Sequence, residues 1–334
     1  MSEIKKSVNY VIDLAHDNII FSIIIPFMKY NDYLFEAVSL LKKQTFKNFE
    51  IILLPDNPGN DKPDGIIEAP TGHLKPADKR DIGAKIAKGE FLAFIDDDAF
   101  PNEKWLGKSL EYFKNPDIAM VCGPGLTPEN DSLRQIASGK IYESFIVSGR
   151  FTYRYKLGKQ RFVDDFPSSN MIVRKEVFDK VGGFSTKYWP GEDTKLCLDV
   201  VYNLKKKILY SPDLYCYHHR RKVFIPHLRQ VFSYAIHRGF FAKKFPENSR
   251  NLSYFIPLSL LMFFVLFPFL GFINKIFLFT YLILLFIYFA FVFFISLNAR
   301  KIDLIGYVFL GIILTHITYG VGFLIGLMSK DLEF

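Results

Sequence analysis

Phe91–Pro101, FLAFIDDDAFP, sets a continuous apolar run directly ahead of three consecutive carboxylates. An apolar run of this length reads as a strand buried on both faces of a mainly parallel sheet. Such a strand ends where the chain meets water. Asp96, Asp97 and Asp98 therefore belong in the crevice outside the carboxyl edge of the sheet, where open α/β folds bind ligands. Side chains two apart in extended backbone point the same way, so Asp96 and Asp98 can share one hard cation. Mg²⁺ or Mn²⁺ held by one or two carboxylates completes its shell with water and substrate phosphates, so a diphosphate is the expected ligand. Asp97 then faces a ribose or sugar hydroxyl. A solvated turn capping the strand is the competing reading, and the neighbouring segments must decide.

Upstream, Phe21–Phe27 (FSIIIPF) and Phe49–Leu54 (FEIILL) read as further buried strands. Between them Asp32–Lys43 carries Leu34, Ala37, Val38 and Leu41 on one helical face. Strand, helix, strand at this spacing is a βαβ unit with a right-handed crossover, and a parallel sheet follows. Asp56, after the second strand, opens on the same crevice as Asp96. Asp81–Ala87 reads as a helix leading into the DDD strand; Lys79 and Arg80 before it either meet phosphates or start that helix in solvent.

Downstream, Ile118–Cys122 reads as another strand, Arg134–Phe151 as a helical or mobile insertion, and Phe166–Phe184 as a polar turn, strand and helix closed by Gly182 and Gly183. Trp189 precedes Glu192 and Asp193, which open an expected helix over Thr194–Asn203. Acids at a helix N-terminus are stabilised by its free N–H groups. An aromatic ring beside paired acids is also how a sugar hydroxyl is stacked, oriented and deprotonated. Leu209–Tyr217 reads as the last strand, followed by His218 and His219, of which His219 is a metal-ligand candidate as well as a packing residue.

Composition divides the chain. Half of the 334 residues are hydrophobic and 36 are Phe, with the excess after Leu252. Three apolar spans, 252–273, 276–297 and 304–328, each exceed the roughly 20 residues a helix needs to cross the hydrocarbon core. Ahead of them His218–Arg250 holds eight Lys or Arg against the single acid Glu247. That segment reads as a contact for anionic lipid head groups or a lipid phosphate rather than nucleic acid, with Pro226–Lys244 as an interfacial helix on the bilayer. The first twenty residues lack an apolar leader, so the domain before the spans is expected in the cytoplasm. Arg300 and Lys301 in the second connection agree with that orientation, which puts the C-terminus outside. His316, inside the third span, is a functional candidate or a neutral ring bonded to a neighbouring helix. Gly322 and Gly326 make a helix-packing spacing. Cys122, Cys197 and Cys216 are too far apart for a zinc or disulfide pattern.

Taken in order, SIIIPF with Asn31, QTFKNFEIILLPDN, FIDDDAFP, SSNMIVRKEVFDKVGGF and the GED at Gly191–Asp193 resemble a family 2 glycosyltransferase over roughly Ile19–Tyr217. The tail, with RQVFSYAIHRG and THITYGVGFLIGL, is similar to membrane-attached members that build cell-surface polysaccharides. The resemblance implies a GT-A fold, a Rossmann-like, mixed and mainly parallel sheet over residues 1–217. A basic juxtamembrane segment (218–250) and a three-helix transmembrane region (251–329) would follow. It implies that Asp96 and Asp98 hold Mg²⁺ or Mn²⁺ on a nucleotide sugar, and that Pro26, Asp56, Arg80 and Asp97 bind the donor. Trp189 would meet the acceptor, and Asp193, with Glu192 as companion, would be the general base of an inverting transfer. Absence of the QxxRW signature of processive synthases points to one sugar per encounter. The expected partners are a UDP-sugar or related donor, a polyprenyl-linked acceptor and membrane lipids. A polyprenyl-phosphate glycosyl synthase and a non-catalytic scaffold that keeps the fold are the rival readings.

Overall fold

Phe91–Ile95 is a strand with every residue buried, in the interior of an eight-stranded sheet. The computed structural model describes residues 19–59, 62–184 and 187–332, so the expectation for the first residues lies outside it. β1 (Phe21–Pro26), α1 (Asp32–Leu41), β2 (Phe49–Leu54) and β3 (Ile67–Glu68) come first; α2 (Pro76–Ile86), β4 (Phe91–Ile95), β5 (Ala99–Pro101) and α3 (Trp105–Phe113) follow. Next are β6 (Ile118–Cys122), β7 (Gly125–Leu126), α4 (Leu133–Glu143), α5 (Phe145–Ser148), β8 (Arg161–Val163), β9 (Asn170–Arg174) and α6 (Lys175–Val181). α7 (Glu192–Leu198), β10 (Lys207–Tyr210), β11 (Cys216–His218), α8 (Ile225–Lys244) and α9 (Pro246–Ser249) lead to α10 (Leu252–Leu270), α11 (Lys275–Ser296) and α12 (Ile302–Met328).

The sheet order is β3-β2-β1-β4-β9-β6-β10-β8. β1 pairs in parallel with β2 and β4, and β6 with β10, whereas β9 runs antiparallel between β4 and β6. The apolar strands β1, β4 and β6 have helices on both faces, hence their lack of alternation. α1 is started by the Asn31 side chain, which accepts from the Leu34 N–H at 3.0 Å, and it buries Leu34, Ala37, Val38 and Leu41.

Several expected elements differ; the helix read as Asp81–Ala87 starts at Pro76, so Lys79 and Arg80 lie inside it. The single strand over Leu209–Tyr217 is two: β10 joins the large sheet, while β11 lies in a small sheet between β5 and β7. Pro212 separates them, having no N–H to continue a ladder. The helix expected from Thr194 begins at Glu192, because Gly191 at φ 117 supplies the left-handed residue that turns the chain into it.

α10, α11 and α12 are each long and apolar enough to cross a membrane. α8 packs lengthwise on α12. A Cβ at Gly326 would overlap the Ile236 carbonyl and one at Gly239 the Phe323 carbonyl, so these backbones touch. Gly326→Leu is expected to destabilise the fold by about 1–3 kcal/mol through overpacking, read as a lower melting temperature in detergent. An unchanged melting temperature would show that the two helices do not depend on this contact. The segment after α12 is tied back onto the protein. Lys243 Nζ donates to the Ser329 carbonyl at 2.7 Å and Lys187 pairs with Asp331 at 2.5 Å, so the chain returns to the N-terminal domain.

Candidate functional site

Pro26 ends β1, Asp96 follows β4, and α7 presents Glu192 and Asp193 from the far side of one crevice. Pro26, Arg80, Asp96, Asp97, Asp98, Trp189, Glu192, Asp193 and His219 line a single cavity of about 590 Å³. Its other wall comes from the helical region: Gln230 and Tyr234 of α8, Pro257 of α10, and Thr315 and Tyr319 of α12. Asp56 is not part of the lining. It is held by Lys79, buried beneath it, and by His73 Nδ1 at 3.0 Å. Lys79 also donates to the Phe27 carbonyl at 2.6 Å, tying Asp56 to the end of β1.

The small sheet builds the candidate cation corner. Antiparallel pairing sets His218 opposite Ala99, beside the DDD turn. His218 Nε2 then lies 3.1 Å from Asp98 Oδ1, and ligand atoms of Asp96, Asp98 and His218 all fall within 4.8 Å of one another. Two carboxylates and an imidazole suit Mn²⁺ or Mg²⁺ with water and phosphate completing the shell. Burial pushes the Asp98 carboxyl up, but His218, Arg221 and Arg220 outweigh it and hold it below the ordinary carboxylate value. Asp97 accepts from the Asn31 amide at 2.8 Å; burial, then the charges of Asp98 and Asp96, push it up to about 6.

His219 does not join this group. Its Nδ1 lies 2.5 Å from Asp131 and its Nε2 3.0 Å from Glu36, and its ring stacks on Tyr33. Burial would lower its pKa, yet those two acids raise it. Alternation along β11 sends the two imidazoles to opposite sides, and only His218 faces the acids. His218→Ala is therefore expected to weaken Mn²⁺ binding at least about tenfold by titration calorimetry. His219→Gln should leave Mn²⁺ affinity intact and lower the melting temperature, because Asp131 and Glu36 lose their partner. The reverse pattern would overturn the assignment.

Arg80, expected at phosphates, is buried between carboxylates: Nη2 donates to Asp96 at 2.7 Å and Nη1 to Glu192 at 3.1 Å. It ties the cation corner to the acid pair. Burial, then the Asp193 charge, pushes Glu192 up to about 7 against the pull of Arg80. Asp193 accepts from the Thr194 N–H at 2.7 Å and the Ser168 N–H at 3.4 Å. Burial, then Asp165, raises it, and Arg238 pulls it back. A carboxylate whose pKa is raised by desolvation is a better base than one in water. Trp189, 45% exposed and joined to Pro190 by a cis peptide, stands on the cavity wall beside this pair.

Behind Asp193 lies a cluster that reading the sequence missed. Asp165 accepts from Arg238 at 3.0 Å, Arg154 at 3.1 Å and Thr194 Oγ1 at 2.9 Å. Burial works against ionisation there, but the two guanidiniums lower Asp165 to about 2. The three come from the α5–β8 connection, the turn before β9, and α8, so no local motif marks them. A paired Asp164–Asp165 ahead of FPSSN was the available signal.

Residues 22–182 match the family model described as glycosyl transferase family 2. The glycosyltransferase GlyG of Streptococcus pneumoniae serotype 4 is 25% identical over 224 residues, 60% of this chain and 70% of that one. The pre-mycofactocin glycosyltransferase of Mycobacterium tuberculosis is 26% identical over 137 residues, 41% of this chain, which thus spans only 28% of that relative's length. Among solved structures, the mannosyltransferase PcManGT from Pyrobaculum calidifontis, in complex with GDP-Man and Mn²⁺, superposes with a TM-score of 0.56. That likeness covers 98% of this chain and 93% of the other at 14% identity, and it concerns the fold, the GT-A arrangement.

Proposed function

Because this chain is a family 2 glycosyltransferase, we propose that it moves one sugar from a nucleotide-sugar donor, UDP-linked by preference, to a polyprenyl-linked saccharide. The transfer takes place at the cytoplasmic face of the membrane in cell-surface glycan synthesis. The observation that carries this reading is the shared cavity: its acids stand on one wall and residues of the apolar helices on the other. A substrate with a sugar end and a lipid end fits such a space. The basic run from Arg220 to Arg250 supports attraction to a lipid diphosphate, and Arg300 with Lys301 supports the cytoplasmic orientation.

In this reading Asp193 takes the proton of the acceptor hydroxyl. The acceptor oxygen bonds to the anomeric carbon from the face opposite the diphosphate, the carbon–phosphate oxygen bond breaks, and the electron pair leaves with the nucleoside diphosphate. The configuration inverts. Glu192, fixed by Arg80 and the Gly191 N–H, orients the donor sugar, Trp189 stacks on the acceptor, and Pro26, Asp56 and Asp97 border the nucleoside. Asp96, Asp98 and His218 would hold a Mn²⁺ or Mg²⁺ ion, which when bound neutralises the departing diphosphate. The complex of PcManGT with GDP-Man and Mn²⁺ supports that expectation.

The test is nucleoside diphosphate release by the detergent-purified full chain over a panel of nucleotide sugars, with Mn²⁺ or EDTA, and with or without a polyprenyl-linked saccharide. Metal-dependent release that rises with acceptor is expected. Donor binding without release from any sugar would instead support a scaffold.

A further inference from the structure

α12 touches the rest of the protein along its whole length. Near its start Leu304 and Val308 are buried in a cluster with Ala137 and Ile141 of α4, and one turn before its middle a Cβ on Gly311 would meet Ile141 and Val223. At its middle Thr315 Oγ1 bonds His227 at 2.9 Å, and His316 Nε2 bonds the Ile146 carbonyl of α5 at 2.8 Å. Farther on Gly322 meets Phe232 and Ala235, and beyond its end Asp331 pairs with Lys187. At 1.5 Å per residue this helix of 27 residues is about 40 Å long, more than the roughly 30 Å hydrocarbon core. If α12 crossed the bilayer upright, α4, α5 and the loop bearing Lys187 would be drawn through hydrocarbon with it, their irregular backbone included. Non-helical backbone facing lipid is not tolerated there.

Its opposite face is a continuous apolar stripe. Leu310, Leu314, Ile317, Val321, Ile325 and Met328 recur at steps of four and three residues, and each is 37% to 75% exposed. Cations stand at both ends: Arg300 and Lys301 before the helix, Lys330 after it, and Lys243 and Lys244 beside its last turn in a shared surface pocket with Met328. A helix lying in the interface presents this pattern, with apolar residues toward the acyl chains and cations at head-group depth. α10 and α11 differ, with 17% and 6% of their apolar windows buried in protein against 44% for α12.

We propose that α12 lies in the plane of the membrane with its apolar stripe on the lipid. α10 and α11 then form the inserted hairpin, with Lys275 at its tip, and the chain ends on the same side as the N-terminal domain. The partner is an anionic bilayer surface. This inference rests on the contacts of α12 and is independent of the sugar transferred.

Single cysteines test it, since Cys122, Cys197 and Cys216 are buried. The full-length protein carrying spin-labelled Leu310→Cys or Ile325→Cys, reconstituted in vesicles with anionic lipid, should report equal depths from oxygen and nickel-chelate accessibility. An upright helix would separate the two labels by about 22 Å. In oriented membrane vesicles Lys330→Cys should react with an impermeant maleimide from the same side as Glu129→Cys on the N-terminal domain, and Lys275→Cys from the other. A depth difference near 22 Å, labelling of Lys330→Cys together with Lys275→Cys, or labels shielded from lipid by a second copy would each overturn the proposal.

Discussion

Asp193→Asn is expected to lower kcat by about 10²- to 10⁴-fold while leaving nucleoside diphosphate affinity unchanged, because under the proposed function it removes the general base and nothing that touches the donor phosphates. The amide is nearly isosteric, and its oxygen can still accept from the Thr194 N–H. Donor binding by calorimetry together with single-turnover transfer separates the two effects. The same variant discriminates between acceptors. A saccharide hydroxyl must lose its proton as it attacks, whereas a lipid phosphate arrives ionised. A fall of less than about tenfold would shift the reading to a polyprenyl-phosphate glycosyl synthase. A loss of donor affinity would place Asp193 at the wrong substrate.

Asp165→Asn should produce the largest stability loss. Asp165 is buried between Arg154 and Arg238, and removing its charge leaves two guanidiniums uncompensated, which typically costs about 3–5 kcal/mol. The sign with pH follows from its depressed carboxyl. With a folded pKa lowered from 3.8 to about 2, the ion pair's contribution is fully present above the upper value and is lost as pH falls through the lower one. Melting temperatures of wild type and variant, followed from pH 7 into the acid range, should therefore converge. A gap that persists unchanged under acid would falsify an electrostatic origin. Asp165 also stands behind Asp193, joined to it through Thr194, so the cluster fixes the start of α7 at the acid pair.

Much of the candidate site was legible because it is local. FLAFIDDDAFP places a buried strand and its terminal acids in one continuous stretch, and GED places the acid pair at a helix start. Strand and helix periods are properties of neighbouring residues, so β1, α1, β2 and β4 emerged within a residue or two of their observed bounds. His218 was not legible. Choosing it over His219 needed the antiparallel register of β11 on β5, a pairing across more than a hundred residues that no local pattern encodes. The carboxylate partners of Arg80 were hidden for a related reason. A base at a helix start looks solvent-facing until the fold closes two carboxylates around it.

By itself, then, the sequence determined the α/β class, the family, the acids at the sheet edge and the apolar character of the three C-terminal helices, because each depends on contiguous composition or spacing. Only the tertiary structure decided which histidine meets the DDD acids, that Asp165, held by Arg154 and Arg238, anchors the acid pair through Thr194, and that α12 packs on α8 and the N-terminal domain. Hydropathy measures how apolar a helix is, but it does not distinguish lipid from protein as the neighbour of an apolar face; the contacts of Thr315, His316 and Gly326 do.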